Sequence, residues 1–197
     1  MKIKTVLLTI LLLSVCSTSI SQNNKQEIEL QFTEYLNSIV NREFEKSMNY
    51  ITDDFFKIIP KEQMVSLMEK VFNSPDMEFE IKSPKILKIE DSELIDKKYY
   101  SLLTYSNLLN MKFLGEKEET AAEHKSRINL TKLSLDNTFG ANNVKYNEKT
   151  DFFEIYSEKQ VYAISENGET GWKFVVIEKN QKPILEKILP KQLTEKI

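Results

Sequence analysis

The hydrophobic period of this chain changes near Asp76, and this change constrains the fold more than any other feature. Before it, apolar residues recur every three or four positions, as they do along one side of a helix. After it, Met77, Phe79 and Ile81 alternate with charged residues, which is the pattern of a half-buried strand. Helices followed by strands predict an α+β domain in which N-terminal helices pack on one face of an antiparallel sheet.

The helical part divides into three predicted helices. The second is shorter than the first and begins after Asn41. Pro60 suits the first turn of the third helix, because a proline needs no hydrogen-bond partner for its nitrogen there. The three predicted apolar stripes are Ile28, Phe32, Tyr35, Leu36 and Ile39, then Phe44, Met48 and Ile51, then Met64, Leu67, Met68, Val71 and Phe72.

The strand region is interrupted by one inserted helix, which we predict to end at Gly140 in the C′ position. Pro84 is predicted to end the first strand, and Ser106-Asn107 to join two others. A short amphipathic helix before Pro190 ends the domain. The separate strands predicted before the last hairpin are residues 77–82, 85–90, 98–105, 108–114, 143–146 and 152–157.

The last hairpin spans Lys159 to Glu178. A turn rich in Gly, Asn and Ser follows a short apolar run, and the residues after it alternate. Trp172, Phe174 and Val176 therefore share one face of the second strand. We predict that Trp172, the only tryptophan, seals the core; stacking on a bound ligand is the alternative.

The N-terminal segment is typical of a targeting sequence. Lys2 and Lys4 precede an apolar run from Thr5 to Val15, and Ser19-Ile20-Ser21 gives the small-x-small pattern of a signal-peptidase site. That run is shorter than the roughly 20 residues of a membrane span, so no transmembrane helix is predicted in the mature chain. We predict a signal peptide over residues 1–21 and a single domain over residues 22–197, periplasmic or secreted.

A second interpretation of the same segment gives a lipid anchor. Leu13-Ser14-Val15-Cys16 resembles a bacterial lipoprotein box, although Val15 stands where that box usually has a small residue. Lipidation would keep Cys16, the only cysteine, whereas simple cleavage would remove it. Either way, no disulfide is expected to hold the domain together.

Composition excludes several classes of function. The chain has 27 basic and 30 acidic residues, and this acidic balance argues against nucleic acid as a partner. No cofactor and no metal site is predicted, because a single histidine, His124, provides too little material for a zinc site or a catalytic triad. We expect His124 to lie exposed on a charged helix face.

Aromatic residues in the first helices, at Tyr35, Phe44, Tyr50 and Phe55, and a terminal strand that begins Gly171-Trp172-Lys173-Phe174 carry a family resemblance. In these features the chain resembles the nuclear transport factor 2-like superfamily, including small secreted bacterial members. The resemblance implies a curved sheet wrapped around N-terminal helices to form a cone.

In enzymes of that superfamily, a carboxylate and tyrosines inside the cone perform acid–base chemistry on small molecules. The matching candidates here are Asp53, Asp54, Tyr35, Tyr50 and Tyr99. The alternative is that the two aspartates stop or cap a helix and that the tyrosines belong to the core.

Three functional hypotheses follow from the sequence. The first is a non-catalytic binding module for a small ligand, a peptide or a partner protein. The second is a cofactor-free isomerase or hydrolase that uses the Asp/Tyr set. The third is an interaction or structural domain without a pocket. The poor catalytic inventory favours the binding module.

Overall fold

The computed structural model describes residues 23–115 and 118–197, so the predicted signal peptide and Cys16 lie outside the described residues. Within them the predicted class is confirmed, because helices precede an antiparallel curved sheet and short helices follow it. No helix in this part of the chain is long and apolar enough to cross a membrane.

Among the residues that the structure describes, four helices come before the sheet. The first covers residues 23–40, and the predicted stripe from Ile28 to Leu36 is its buried side. The second continues into a 3-10 turn, Met48–Tyr50. The four are α1 (residues 23–40), α2 (Phe44–Ser47), α3 (Asp53–Phe56) and α4 (Lys61–Phe72).

The sheet is built on two long central strands that pair along most of their length. The remaining strands flank this pair, two on each side. The strands are β1 (Met77–Ile89), β2 (Glu93–Ile95), β3 (Lys98–Phe113), β4 (Val144–Asn147), β5 (Phe152–Ser165) and β6 (Lys173–Ile177). Strands β1 and β2 lie along one edge of β3, which pairs with β5, and β4 and β6 lie along the outer edge of β5.

Three further helices complete the chain. They are α5 (Ala121–Phe139), α6 (Lys182–Leu185) and α7 (Lys191–Thr194). A capping box between Thr120 and Glu123 begins α5, and Gly140 ends it with a φ of 88°, as predicted. The single C-terminal helix that the sequence predicted is instead two helices, with Pro190 as the N-cap of the second.

Predicted breaks in three strands are wrong. Pro84 does not end β1, because a change of pairing register between Lys82 and Lys85 accommodates it, and Ser83 adopts a φ of 50°. Ser106-Asn107 does not interrupt β3, since β1 pairs with Ser106 on one side and β5 pairs with both residues on the other. Strand β5 likewise runs through to Ser165 instead of stopping at Ser157. Neighbouring strands override local turn preferences at all three points.

The buried face predicted for α4 is also wrong in part. Leu67 and Val71 are 47% and 43% exposed, and α4 has no fully buried residue. Its anchor is Phe72 near its C-terminal end, whose ring lies 5.0 Å from those of Phe44 and Phe79. Met64 and Met68 are partly buried against the core that α1 covers, so Leu67 and Val71 are the exposed positions of the predicted stripe.

Two helices share one face of the sheet. Helix α1 packs with Leu103 and Tyr105 of β3 and with Val161 and Ala163 of β5. Helix α5 covers the other half of that face through a second buried cluster, composed of Ile128, Leu135, Val144, Phe153 and Ile155. The two clusters lie on one face because their residues on β3 and β5 are an even number of positions apart.

The opposite face of the sheet, which we call the outer face, is covered at only one end. The C-terminal helices cover this end with three leucines, Leu185, Leu189 and Leu193. These leucines pack against strand residues whose side chains point away from α1 and α5. Those strand residues are Ile95, Tyr100, Tyr162, Ile164 and Val175. Leu108 and Tyr156, farther along the same face, are 39% and 41% exposed. A cavity lies on this partly covered outer face.

Candidate functional site

The predicted hairpin between β5 and β6 is confirmed, and it places Trp172 in the core. Gln160 pairs with Ile177 and Ile164 with Lys173, and Trp172 is 0% exposed in the cluster that α1 covers. A ligand cannot stack on a side chain enclosed in this way. Its ring nitrogen has no hydrogen-bond partner among the described residues.

The space between α1 and the sheet is filled by aromatic rings. Phe32 and Phe174 lie 4.9 Å apart, Phe32 and Tyr105 lie 5.1 Å apart, and Tyr35 stacks on Phe174 at 5.9 Å. Tyr35 belongs to this packing and is 9% exposed. The interior where the family resemblance places a pocket is therefore occupied by the core.

The other candidate acid–base residues do not form one site. Tyr50 donates a hydrogen bond to Glu34 at 3.0 Å, and Tyr99 packs beneath the turn glycine Gly168. Asp53 is exposed, whereas Asp54 is bound by a lysine at 2.6 Å. In the described part of the chain, neither aspartate is hydrogen-bonded to a candidate tyrosine. Both lie in the first turn of α3, where negative charge favours a helix.

The electrostatics of Asp54 run against a role as general base. A hydrogen bond from Lys57 is the largest influence that lowers the pKa of this carboxyl below its usual range. Lys98, at 3.7 Å, acts in the same direction. A general base near neutral pH needs a raised pKa, so the observed direction is opposite to the one that the enzyme hypothesis requires.

A cavity on the outer face has a volume of about 400 Å³. This volume is within the size range of small-ligand sites. It opens between the β1–β2 turn, the middle of the sheet and α7. We name it the acidic cavity because its lining contains three carboxylates and one ammonium group. The lining residues are Glu90, Asp91, Glu93, Tyr100, Leu102, Tyr162, Leu193 and Lys196.

Two tyrosines of the acidic cavity are buried, but their hydroxyls have no protein partner. Tyr100 and Tyr162 are 6% and 5% exposed, and neither hydroxyl makes a hydrogen bond within the described residues. The three buried polar atoms that lack a partner there belong to other residues, so both hydroxyls remain accessible. Because Tyr162 lines the cavity, its hydroxyl is available to a ligand.

Two of the three carboxylates already have lysine partners. Asp91 pairs with Lys25 of α1 at 2.8 Å, and Glu90 pairs with Lys88 at 2.5 Å. Glu93 has no lysine or arginine nitrogen within 4.0 Å in the part of the chain that the structure describes. Burial, and after it the charge of Glu93, raises the pKa of Tyr162. Glu93 and Tyr162 both line the acidic cavity.

A wider hollow lies at the outer edge of β5, between the ends of β4 and β6. It measures about 670 Å³ and is lined mainly by polar residues, among them Glu158, Lys159 and Gln160. The ammonium of Lys159 is bound by Glu178 at 2.7 Å, so these opposite charges pair with each other. The acidic cavity is the better candidate, since it presents buried hydroxyls and an unpaired carboxylate.

His124 belongs to a hydrogen-bonded network at the start of α5. Arg127 donates two hydrogen bonds to Glu119 at 2.8 Å and one to Nδ1 of His124 at 3.1 Å. Because arginine only donates, this Nδ1 is the acceptor and the ring proton lies on Nε2, which faces the Tyr146 hydroxyl at 3.4 Å. Tyr146 donates in turn to Asp151.

As expected, the His124 side chain is partly exposed, at 39%, on a charged helix face. Both of its ring nitrogens also have protein partners, with Arg127 at Nδ1 and the Tyr146 hydroxyl at Nε2. Burial, followed by the Asp151 hydrogen bond, raises the pKa of Tyr146 to about 12, and Arg127 lowers that of Glu119. The charged groups of the network are paired with one another, and their bonds connect α5 to the β4–β5 turn. We therefore assign the network a structural role.

The buried tyrosines give a prediction for alkaline pH. Burial raises the pKa of Tyr35 to about 12 from its usual value near 10. The folded protein thus favours the neutral phenol, and the resulting stability is complete below pH 10 and is lost as pH rises to about 12. In urea titrations above pH 10, Tyr35→Phe should lose less stability than the wild-type protein. The exposed control Tyr156→Phe should behave like the wild type, and equal losses in all three would contradict the prediction.

Comparison of the chain with protein-family models, curated proteins and solved structures finds no match.

The acidic cavity itself had only a weak sequence signal. The acidic turn around Asp91 was visible, but Tyr162 lies 71 positions later on β5, and only the β3–β5 pairing and α7 bring these residues together.

Proposed function

We propose that this protein is an exported, non-catalytic binding module that holds a small ligand in the acidic cavity. One observation carries the proposal: the hydroxyl of Tyr162, on a residue that is 5% exposed, opens onto a cavity of about 400 Å³ and has no hydrogen-bond partner among the described residues. Buried polar groups are almost always hydrogen-bonded, so a hydroxyl left accessible in a cavity suits a ligand.

The proposal of export rests on the N-terminal sequence, in which a basic segment precedes an apolar run and a small-x-small site. Lipidation of Cys16 is the alternative, and mass spectrometry of the mature protein separates the two. We also propose kinship with the nuclear transport factor 2-like superfamily. The order of helices before a curved sheet and the Gly171 to Phe174 segment support it.

The two alternative functions have weaker support. An acid–base enzyme requires a carboxylate with a raised pKa near a tyrosine hydroxyl, and Lys57 lowers the pKa of Asp54. A pocketless interaction domain is favoured only by exposed apolar residues such as Leu67 and Val71 on α4.

Protein-observed NMR with a mixture of small fragments tests the proposal. We expect fragments to shift the resonances of residues that line the acidic cavity, such as Leu102 and Leu193. Leu102→Trp should abolish these shifts, because the larger side chain fills the cavity. The matched control is Leu108→Trp, which lies on the same strand and face but is 39% exposed and outside the cavity lining. A screen in which no fragment shifts cavity resonances would refute the proposal.

A further inference from the structure

We propose that the acidic cavity takes a small organic ammonium ion, whose nitrogen pairs with Glu93 and donates a hydrogen bond to the Tyr162 hydroxyl. This inference rests on the proposed function and narrows it to one chemical class of ligand. It combines a carboxylate and a buried hydroxyl that have no partner within residues 23–115 and 118–197 with the apolar surface beside them.

Charge decides the class of ligand. The lining contains three carboxylates and one ammonium group, that of Lys196. Two carboxylates are paired with lysines, which leaves Glu93 to bind a cation from solution. An anionic ligand beside Glu93 would meet a like charge that no lysine or arginine of the described residues pairs with, and it would be repelled.

The hydroxyl decides where the cation lies. Glu93 and Tyr100 are paired directly across β2 and β3, and Leu102 and Tyr162 are paired across β3 and β5. The side chains of Glu93 and Tyr162 therefore project from the same face of the sheet, and both line the acidic cavity. An ammonium group has three N–H donors and no acceptor, so it satisfies an anionic and a neutral oxygen at once.

The apolar part of the lining limits the rest of the ligand. Leu102 and Leu193 form walls from the sheet and from α7, and Leu193 is 3% exposed. A cavity of about 400 Å³ accommodates one ring or a short aliphatic chain on the ammonium group. The expected ligand is thus an amine with a small apolar body.

Three probes of similar size and different charge test the inference: benzylamine, benzyl alcohol and benzoate. We expect benzylamine to bind at least about tenfold more tightly than either of the others, a difference of about 1.4 kcal/mol. Added salt should weaken benzylamine binding, because the Glu93 carboxylate is exposed at the rim. Isothermal titration and NMR shifts of the cavity residues measure both effects.

Two substitutions identify the groups that bind the nitrogen. Glu93→Gln should weaken benzylamine binding about tenfold, and Tyr162→Phe several-fold, because each removes one polar partner. Glu169→Gln, on the exposed hairpin turn, and Tyr156→Phe are the matched controls and should bind as the wild type does. Urea titration of each variant checks that it is folded.

The outcomes separate the two proposals. If benzyl alcohol or benzoate binds in the cavity as tightly as benzylamine does, the ammonium inference fails and the proposed binding function stands. The inference is equally overturned if Glu93→Gln leaves benzylamine affinity unchanged. If neither the probes nor the fragment mixture shifts any cavity resonance, both proposals fail together.

Discussion

Trp172→Ala is expected to lower the free energy of unfolding by about 3 to 5 kcal/mol, the range for truncating a fully buried tryptophan. Trp172 is 0% exposed and belongs to one cluster with Phe32, Phe174 and Leu103, so the cavity left behind has rigid walls on the helix and on the sheet. Urea or thermal denaturation followed by circular dichroism measures the loss, because the variant has no tryptophan fluorescence.

Two comparisons give this result its meaning. Leu67→Ala, on the uncovered side of α4, should cost less than about 1 kcal/mol, since Leu67 is 47% exposed. Trp172→Phe should cost less than the alanine variant, because a ring remains and the unpartnered indole nitrogen is removed. A loss at Trp172→Ala no larger than that at Leu67→Ala would show that Trp172 does not seal the core.

The second large effect is expected at the turn of the last hairpin, where Gly168→Ala should cost about 2 to 5 kcal/mol. Gly168 has a φ of 75°, and a β-carbon there would lie 2.7 Å from the ring of Tyr99. The substitution thus adds an overlap with a packed ring to the strain of a left-handed backbone.

Gly171→Ala is the matched control for Gly168→Ala. Gly171 also has a positive φ, 65°, but a β-carbon there would meet nothing within 4 Å. It should therefore cost only the backbone strain, about 1 to 2 kcal/mol. In a Tyr99→Ala background, the cost of Gly168→Ala should fall to the same level, which a double-mutant cycle measures. Equal costs for the two glycines in the wild-type background would exclude the Tyr99 overlap.

Local side-chain bonding explains why this turn has a fixed shape. The Ser165 hydroxyl accepts from the Gly168 N–H at 3.1 Å and donates to the Thr170 carbonyl at 2.6 Å. The side-chain oxygen of Asn167 accepts from the N–H groups of Glu169 and Thr170. Serine and asparagine bond their own backbone in this way in many turns, and for that reason the sequence predicted the turn.

The sequence predicted helices well where an apolar stripe was covered and poorly where it was not. The stripe of α1 is buried because the sheet lies against it, and Phe32 is 0% exposed. The similar stripe of α4 packs through Met64, Met68 and Phe72 but leaves Leu67 and Val71 exposed. Periodicity shows which side of a helix is apolar, but it does not show what packs against that side.

The sequence was also a poor guide to which residues form the candidate site. The sequence pointed to Asp53, Asp54 and three tyrosines; the structure places the aspartates in the first turn of α3 and packs the tyrosines in or against the core. It gave no reason to join Glu93 to Tyr162, which line one cavity only because of strand pairing. Residues distant in sequence become neighbours through register, and register depends on partners that a single sequence does not identify.

What the sequence determined by itself is the order of helices and strands, the last hairpin and the burial of Trp172, because these depend on periods and turn residues that act locally. The tertiary structure alone decided that β1, β3 and β5 are continuous and that the interior under α1 is filled. The position of the acidic cavity on the outer face likewise follows from the tertiary structure. These features depend on long-range packing, in which each strand or helix is completed by a partner far away in the chain.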